Sequence, residues 1–407
     1  MQLLASLLFF VDILALVSGT PVQKRGSYKV HRVRNPGFTA RNGPRSLAKA
    51  LSKYRVPEES LLSETTGIEL EAVVKKRGLS GSSKRRDVKG GIGGESTGTG
   101  FVIATPTVND VEYLCPVNIG GQTVNLDFDT GSSDLWVFNS QLPSDQTDGR
   151  TVFDHTQSET FSFMQDASFR IMYGDGSSAE GTVGTDTVDV GGATVTRQAV
   201  SMATAVSDAF FESDTSSGIL GLGFHHLSTI KPERQNTFFE NVIETLLEPV
   251  FTADLNAHEA GAYEFGRIDE NKFVDQLQWV PVNTSRGYWE LSSGSFSVDG
   301  GEVQPTTHNM RAIVDTGTSL VLTDPDVAHG YYAHIPNSVE VPAIGGFVFP
   351  CNETLPDLHL DVGGKMAVIK GNDLNYAQLD DKSKNPFRIR EIHEIHDAYT
   401  HLHEIPS

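Results

Sequence analysis

The chain is short of cysteine, of positive charge and of long apolar runs, and each shortage removes a class of protein. Two cysteines in 407 residues exclude a small fold stapled by disulfides. Lysine and arginine number 32 against 52 acidic residues, a formal charge of −20, so nucleic acid is a poor partner. Beyond the first twenty residues no run is long and apolar enough for a membrane span, so no stable membrane anchor is expected. The glycine-rich stretches lack the Gly-Lys-(Ser/Thr) of a phosphate loop. The histidines are scattered except for His393, His396, His401 and His403. Those four keep no fixed ligand spacing and read as a solvated polar tail, so neither a metal nor another cofactor is expected.

What remains is enough chain for two domain-sized cores. Glycine is abundant, at 39 residues, and long helical patterns are few, which favours a turn-rich β protein. Residues 124–128 alternate apolar and polar side chains, and the Gly-Gly pairs at 120 and 191 read as hairpin turns. One helix is predicted over 237–247, where Phe238, Val242, Thr245 and Leu246 recur at helical spacing.

Charge divides the chain. Residues 1–19 read as a secretory signal peptide: an apolar run over 3–17, then Ser18 and Gly19. Residues 20–86 carry sixteen basic and five acidic residues, a balance of +11. Residues 87–407 carry sixteen basic and 46 acidic, a balance of −30. The reversal falls at the clusters Lys75-Lys76-Arg77 and Lys84-Arg85-Arg86, which predicts a basic pro-segment with a processing site near Arg86. Such a segment is held on an anionic body by many weak attractions, which loosen as acid protonates the carboxylates.

The informative repeat is internal. Leu126-Asp127-Phe128-Asp129-Thr130-Gly131-Ser132-Ser133 parallels Ala312-Ile313-Val314-Asp315-Thr316-Gly317-Thr318-Ser319. Each copy is a strand-like run ending in an Asp-Thr-Gly turn. One Asp-Thr-Gly is weak, because these are ordinary turn residues. Two extended copies at domain-sized spacing point to paired carboxylates, Asp129 and Asp315. Hydrolysis of an amide needs an activated water and a proton donor, and two carboxyl groups sharing one proton supply both. Gly131 and Gly317 let backbone N–H groups approach the carboxylates. Thr130 and Thr316 can cross-bond the two turns, and Ser132 and Thr318 can donate to the outer carboxylate oxygens.

Around these residues the chain resembles the fungal pepsin-like aspartic proteases, the group of penicillopepsin, aspergillopepsin and endothiapepsin. The resemblance runs over about 97–380. It rests on Glu112-Tyr113-Leu114 before Gly120-Gly121-Gln122, on 127–137 through Trp136-Val137, on Tyr173-Gly174-Asp175-Gly176-Ser177, on Ile219-Leu220-Gly221-Leu222-Gly223, and on Gly261, Tyr263, Phe265, Gly266, Ile268 and Asp269. It implies an all-β, bilobal fold with a central cleft in which an extended peptide lies like an added strand. It implies an N-terminal lobe over 87–280 and a C-terminal lobe over 281–380. Tyr173 and Gly174 would form a flap over the substrate, with Trp136 as hydrogen-bond support. Phe210 and Phe211 would either line the pocket for the residue before the cut or belong to the core. Asp175, with Asp127 beside the first catalytic carboxylate, resembles the arrangement of members that accept lysine as well as large apolar residues there. Lys53, in Lys53-Tyr54, resembles the pro-segment lysine that covers the carboxylates. Asn283 and Asn352 open glycosylation sequons. The implied partners are peptide or protein substrates and the chain's own pro-segment, the implied location is extracellular, and the implied state is a monomer.

Residues 381–407 depart from the family. A second cysteine and an apolar-apolar-Gly segment are expected there, and a charged stretch stands instead. The expectation is therefore an incomplete C-terminal lobe, a Cys351 without its family partner, and a turn at Asp315 without the backing that Ile219-Leu220-Gly221 gives Asp129. Two functions follow: an acid endopeptidase, or a pepsin-like protein that grips peptides without cutting them.

Overall fold

In this computed structural model the described residues are 98–107, 110–147, 149–172, 177–207, 210, 216–257, 259–273, 276–307, 311–341, 346–350, 352–374, 377–378, 387–390 and 392–394. The segments 1–19 and 20–86, with Lys53, the expected flap residues Tyr173, Gly174 and Asp175, Phe211 and Cys351 lie outside them.

The first unit is a single ten-stranded sheet. Its strands are β1 (Gly100–Pro106), β2 (Tyr113–Ile119), β3 (Gln122–Asp129), β4 (Leu135–Phe138), β5 (Ser162–Met172), β6 (Ser178–Val190), β7 (Ala193–Val206), β8 (Gly218–Gly221), β9 (Phe251–Asn256) and β10 (Glu259–Phe265). They run in the order β5-β6-β7-β4-β8-β3-β2-β1-β10-β9. A further pairing of β6 with β2 closes β2, β3, β8, β4, β7 and β6 on themselves as a barrel. The predicted hairpin turns are there: Gly120-Gly121 joins β2 to β3 and Gly191-Gly192 joins β6 to β7, all four at positive φ. Leu126 and Phe128 of β3 and Cys115 and Val117 of β2 are fully buried in the core that fills the barrel.

The predicted helix is shorter than its periodicity. Thr237 caps the helix Phe238–Val242 through a capping box with Glu240, and a 3₁₀ turn, Ile243–Thr245, ends it. Phe238, Phe239 and Val242 are buried, whereas Leu247 is 74% exposed and spends its N–H on Gly98 O at 2.7 Å. That distant carbonyl takes the bond a continuing helix would have used.

The second unit is built from smaller sheets. β11 (Glu290–Ser292) pairs with β14 (Arg311–Ile313). β12 (Ser295–Val298), β13 (Gln304–Pro305), β18 (Leu358–Val362) and β19 (Lys365–Ile369) form one sheet. β16 (Val339–Val341), β17 (Gly346–Pro350), β20 (Ala377–Gln378) and β21 (Phe387–Arg390) form another. β15 (Val321–Thr323) pairs in parallel with β22 (Ile392–Glu394). A separate core of Phe296, Tyr331, Tyr332, Phe347, Phe349 and Leu358 holds this unit together, much of it under the helix Pro325–Tyr332. Trp289, at the start of the second unit, packs instead into the barrel core, where it contacts Phe224, Phe239 and Phe251. The described chain is all-β, with three short helices, and none of them is long and apolar enough to cross a membrane.

Candidate active site

β3 ends in Asp129 and β14 runs into Asp315, and the two turns face each other. Thr130 N–H donates to Thr316 Oγ1 at 3.1 Å, and Thr316 N–H donates to Thr130 Oγ1 at 3.0 Å. Each hydroxyl then donates onward, Thr130 to Val314 O at 2.9 Å and Thr316 to Phe128 O at 2.6 Å. Four bonds thus lock residues 186 apart in sequence into one ring.

The carboxylates are framed alike. Asp129 Oδ1 accepts Gly131 N–H at 2.8 Å and its Oδ2 accepts the Ser132 hydroxyl at 2.6 Å. Asp315 Oδ1 accepts Gly317 N–H at 3.0 Å and its Oδ2 accepts the Thr318 hydroxyl. Such bonds favour the ionised form of the carboxyl group that accepts them.

Behind Asp129 lies β8. It runs parallel to β3 (Asp127↔Ile219, Phe128↔Leu220, Asp129↔Gly221) and antiparallel to β4 (Leu135↔Leu220). Leu222 N–H donates to Asp129 O at 2.7 Å and Gly223 N–H to Ser132 O at 2.8 Å. Gly221 is required by this approach, since a Cβ there would stand 2.4 Å from the Ser133 backbone. Asp134 anchors the far side. It is buried and accepts the Ser228 hydroxyl at 2.8 Å and the Thr229 N–H and hydroxyl at 2.8 and 2.7 Å. Burial pushes its pKa above the ordinary aspartate value, and these bonds only partly offset it.

Asp315 has the same frame but a different surround. Asp129 and Thr130 are each 2% exposed, while residues 312–319 are all half-buried. Among the described residues β14 pairs with β11 alone, so nothing described takes the place that β8 takes beside β3.

The other predicted site residues fall as follows. Asp127 is buried on β3. Its charge adds to the burial that drives up the pKa of the Cys115 thiol, and to that which drives up Tyr263. Trp136 is buried in β4 and meets the Phe210 ring edge-on at 5.2 Å. Phe210 is half-buried against a cluster that includes Phe138, and its carbonyl accepts from Arg150. Among the described residues no group of three or more His, Cys, Asp or Glu is placed to hold a metal.

Two residues of the site escaped the sequence reading. Tyr263 of β10 donates to Phe128 O at 3.1 Å, so that carbonyl serves both Tyr263 and Thr316. Trp289 donates from Nε1 to Leu222 O at 2.8 Å and so supports the segment behind Asp129. Tyr263 was visible only as part of a pattern, and Trp289 carried no local signal.

Comparison with known proteins agrees with this geometry. The family model described as "Eukaryotic aspartyl protease" matches residues 112–390. "Aspartic protease PEP3" of Coccidioides posadasii is 42% identical over 91% of this chain and 83% of its own length. Endothiapepsin of Cryphonectria parasitica is 38% identical over 91% of this chain and 84% of its own. Penicillopepsin-3 of Penicillium janthinellum is 36% identical over 93% and 88%. The solved aspartic proteinase of Irpex lacteus superposes with a TM-score of 0.54 at 25% identity, covering 67% of this chain and 79% of that one. With both Asp-Thr-Gly turns joined in one ring and relatives of this name along most of its length, the chain belongs to the eukaryotic aspartyl proteases and is an aspartic endopeptidase.

Proposed function

We propose that the chain is a secreted endopeptidase that cuts peptide bonds in acid, with Asp129 and Asp315 sharing one proton. The observation that carries this is the matched frame: one backbone N–H and one hydroxyl on each carboxylate, in two turns bolted together by the threonines. Like charges held close cannot both ionise easily, so one carboxyl stays protonated, as aspartic proteases exemplify. The ionised group takes a proton from water as it attacks the carbonyl carbon. The protonated group donates to the carbonyl oxygen. The proton gained by the base then passes to the leaving nitrogen, and the products are a carboxylic acid and an amine. No covalent intermediate is needed.

The finer readings rest on sequence. Residues 1–19 direct export, residues 20–86 hold the enzyme inactive with Lys53 over the carboxylates, and cleavage near Arg86 releases it. The enzyme acts as a monomer. Large apolar residues before the cut are preferred, and Asp127 and Asp175 together admit lysine by offsetting the cost of enclosing an ammonium.

A second reading, peptide binding without cleavage, is favoured by one observation: the turn at Asp315 is half-buried, and β14 beside it has a single described partner. Acid proteolysis by the processed chain, with and without a statine-type transition-state inhibitor, separates the two. Inhibitable cleavage that disappears in both Asp129→Asn and Asp315→Asn is the expected result. Tight inhibitor binding with no cleavage establishes the second reading.

A further inference from the structure

A second ring of hydrogen bonds runs behind both carboxylates, and Trp289 is its middle member. Leu222 N–H donates to Asp129 O, and Trp289 Nε1 donates to Leu222 O. Val314 N–H donates to Trp289 O at 3.1 Å, and the Thr130 hydroxyl donates to Val314 O. Thr130 follows Asp129 and Asp315 follows Val314, so both carboxylate-bearing turns hang on this ring. The segment around Trp289 fixes it from two sides. On one side Gly287 N–H donates to Thr284 O at 2.9 Å, closing a turn, and Gly287 O accepts Phe224 N–H at 2.9 Å. On the other side β11 pairs with β14, with Glu290 opposite Ile313.

The side chain that joins the two sides is Glu290, which is 1% exposed. Its Oε2 accepts from Arg286 Nε at 2.9 Å and from Arg286 Nη2. Its Oε1 accepts from Asn283 Nδ2 and from Arg311 Nη1, each at 3.3 Å. One oxygen thus holds the turn that touches the segment behind Asp129. The other reaches across to β14, on the strand that runs into Asp315. Among the described residues the charged groups facing Glu290 are Arg286 and Arg311.

We propose that Glu290 is a positioning residue for proteolysis. It clamps the backing of Asp129 and the strand into Asp315 at one separation, and so sets how strongly the two carboxyl groups share their proton. This rests on the Asp129/Asp315 reading above. A carboxylate is needed because two separate sets of donors must be met. It offers an acceptor oxygen to each, whereas an amide has one acceptor and turns an NH₂ toward donors on the other side. Arg286 and Arg311 are 26% and 40% exposed, so water can take over an abandoned guanidinium and Glu290→Gln is expected to fold. What goes is the tie, and the coupling between two carboxyl groups weakens as they separate.

The test compares Glu290→Gln, which keeps the shape, with Glu290→Asp, which keeps both oxygens, in the full chain activated in acid. In Glu290→Gln the kcat on a peptide substrate should fall about tenfold or more while KM changes by less than about twofold. The two limbs of its kcat–pH profile should move toward each other. The other titratable groups near the dyad, Asp127, Asp134, Cys115, Tyr263 and Arg311, are the same in every chain compared. Glu290→Asp should keep more of the kcat than Glu290→Gln. A statine-type inhibitor gives a readout without turnover, and its affinity should fall about tenfold in Glu290→Gln. Phe349→Leu, in the separate core of the second unit, serves as control: a lower melting temperature with the profile unmoved. Limbs that shift together in one direction overturn the proposal, because that is a removed charge acting through space. So does native kcat and inhibitor affinity in Glu290→Gln, a Glu290→Gln chain that outperforms Glu290→Asp, or one that only melts lower, as the control does. If the native chain binds the inhibitor but cuts nothing, the inhibitor affinities decide by the same expectation. A native chain that neither cuts nor binds overturns the Asp129/Asp315 reading and this proposal with it.

Discussion

The ring of four threonine bonds predicts an inequality between two substitutions that look equivalent in sequence. Thr130→Val and Thr316→Val each keep the side-chain shape and delete one hydroxyl. In Thr130→Val, Val314 O loses its 2.9 Å donor and Thr316 N–H loses its 3.0 Å acceptor. A buried polar group left unpaired costs about 1–3 kcal/mol. Val314 and Thr316 are both half-buried, so each orphan falls toward the lower end of that range. The sum is therefore about 2–4 kcal/mol. In Thr316→Val, Thr130 N–H loses its 3.1 Å acceptor. Phe128 O loses a 2.6 Å donor but keeps the Tyr263 hydroxyl at 3.1 Å. One orphan rather than two gives about 1–3 kcal/mol, so Thr130→Val is the costlier change by about 1 kcal/mol.

Tyr263→Phe tests the reason. Alone it leaves Phe128 O its Thr316 bond; combined with Thr316→Val it strips that carbonyl of both donors. The pair should cost more than the sum of its parts by about 1 kcal/mol. Denaturant unfolding at acid pH measures all four chains, and the turnover of a peptide substrate reports whether the two carboxylates keep their spacing. Equal costs for the two valine variants, or strict additivity with Tyr263→Phe, would refute the reasoning.

Three further outcomes follow from the surroundings of Asp129. Gly221→Ala should cost about 3 kcal/mol or more, seen by thermal unfolding, because its Cβ is driven into the Ser133 backbone rather than into a side chain that can move. Trp289→Phe keeps an aromatic ring in the barrel core but deletes the bond to Leu222 O, and should cost about 1–2 kcal/mol; a neutral result would show that this bond does not support the segment behind Asp129. Asp134 sets a pH slope. Its folded pKa lies above the ordinary value of 3.8, so its contribution is full below about that pH and is lost as pH rises through the folded value. The stability of the native chain relative to Asp134→Asn should therefore fall as pH is raised from about 4; a difference that stays flat across denaturation curves at several pH values contradicts the assignment.

What the sequence disclosed is set by how far apart the interacting groups lie along it. The frame of each carboxylate comes from the two or three residues after the aspartate, so it is written in five letters and can be read there. The crossed threonines are 186 residues apart, yet they too could be anticipated, because the motif is repeated and a repeat implies a partner. The hairpins at Gly120-Gly121 and Gly191-Gly192 were legible for the same local reason. The helix over 237–247 was overextended because its apolar period continues after Val242, while the bond that ends it comes from Gly98. Tyr263 and Trp289 reach the site across 135 and 67 residues, and no spacing in the chain announces either contact.

The same distinction explains why two nearly identical motifs end in unequal surroundings. Hydrogen bonds inside each turn depend only on the turn, and they are matched atom for atom. Burial depends on what is laid against the turn from elsewhere. For Asp129 that is β8, a strand ninety residues further along whose glycines allow it to touch the Ser133 backbone. For Asp315 the described residues supply β11 as the partner of β14 and no counterpart of β8. Aspartic proteolysis needs two carboxyl groups whose proton affinities differ, and desolvation is one of the forces that separates them. The strand behind the turn at Asp129 is therefore part of the chemistry as well as of the fold.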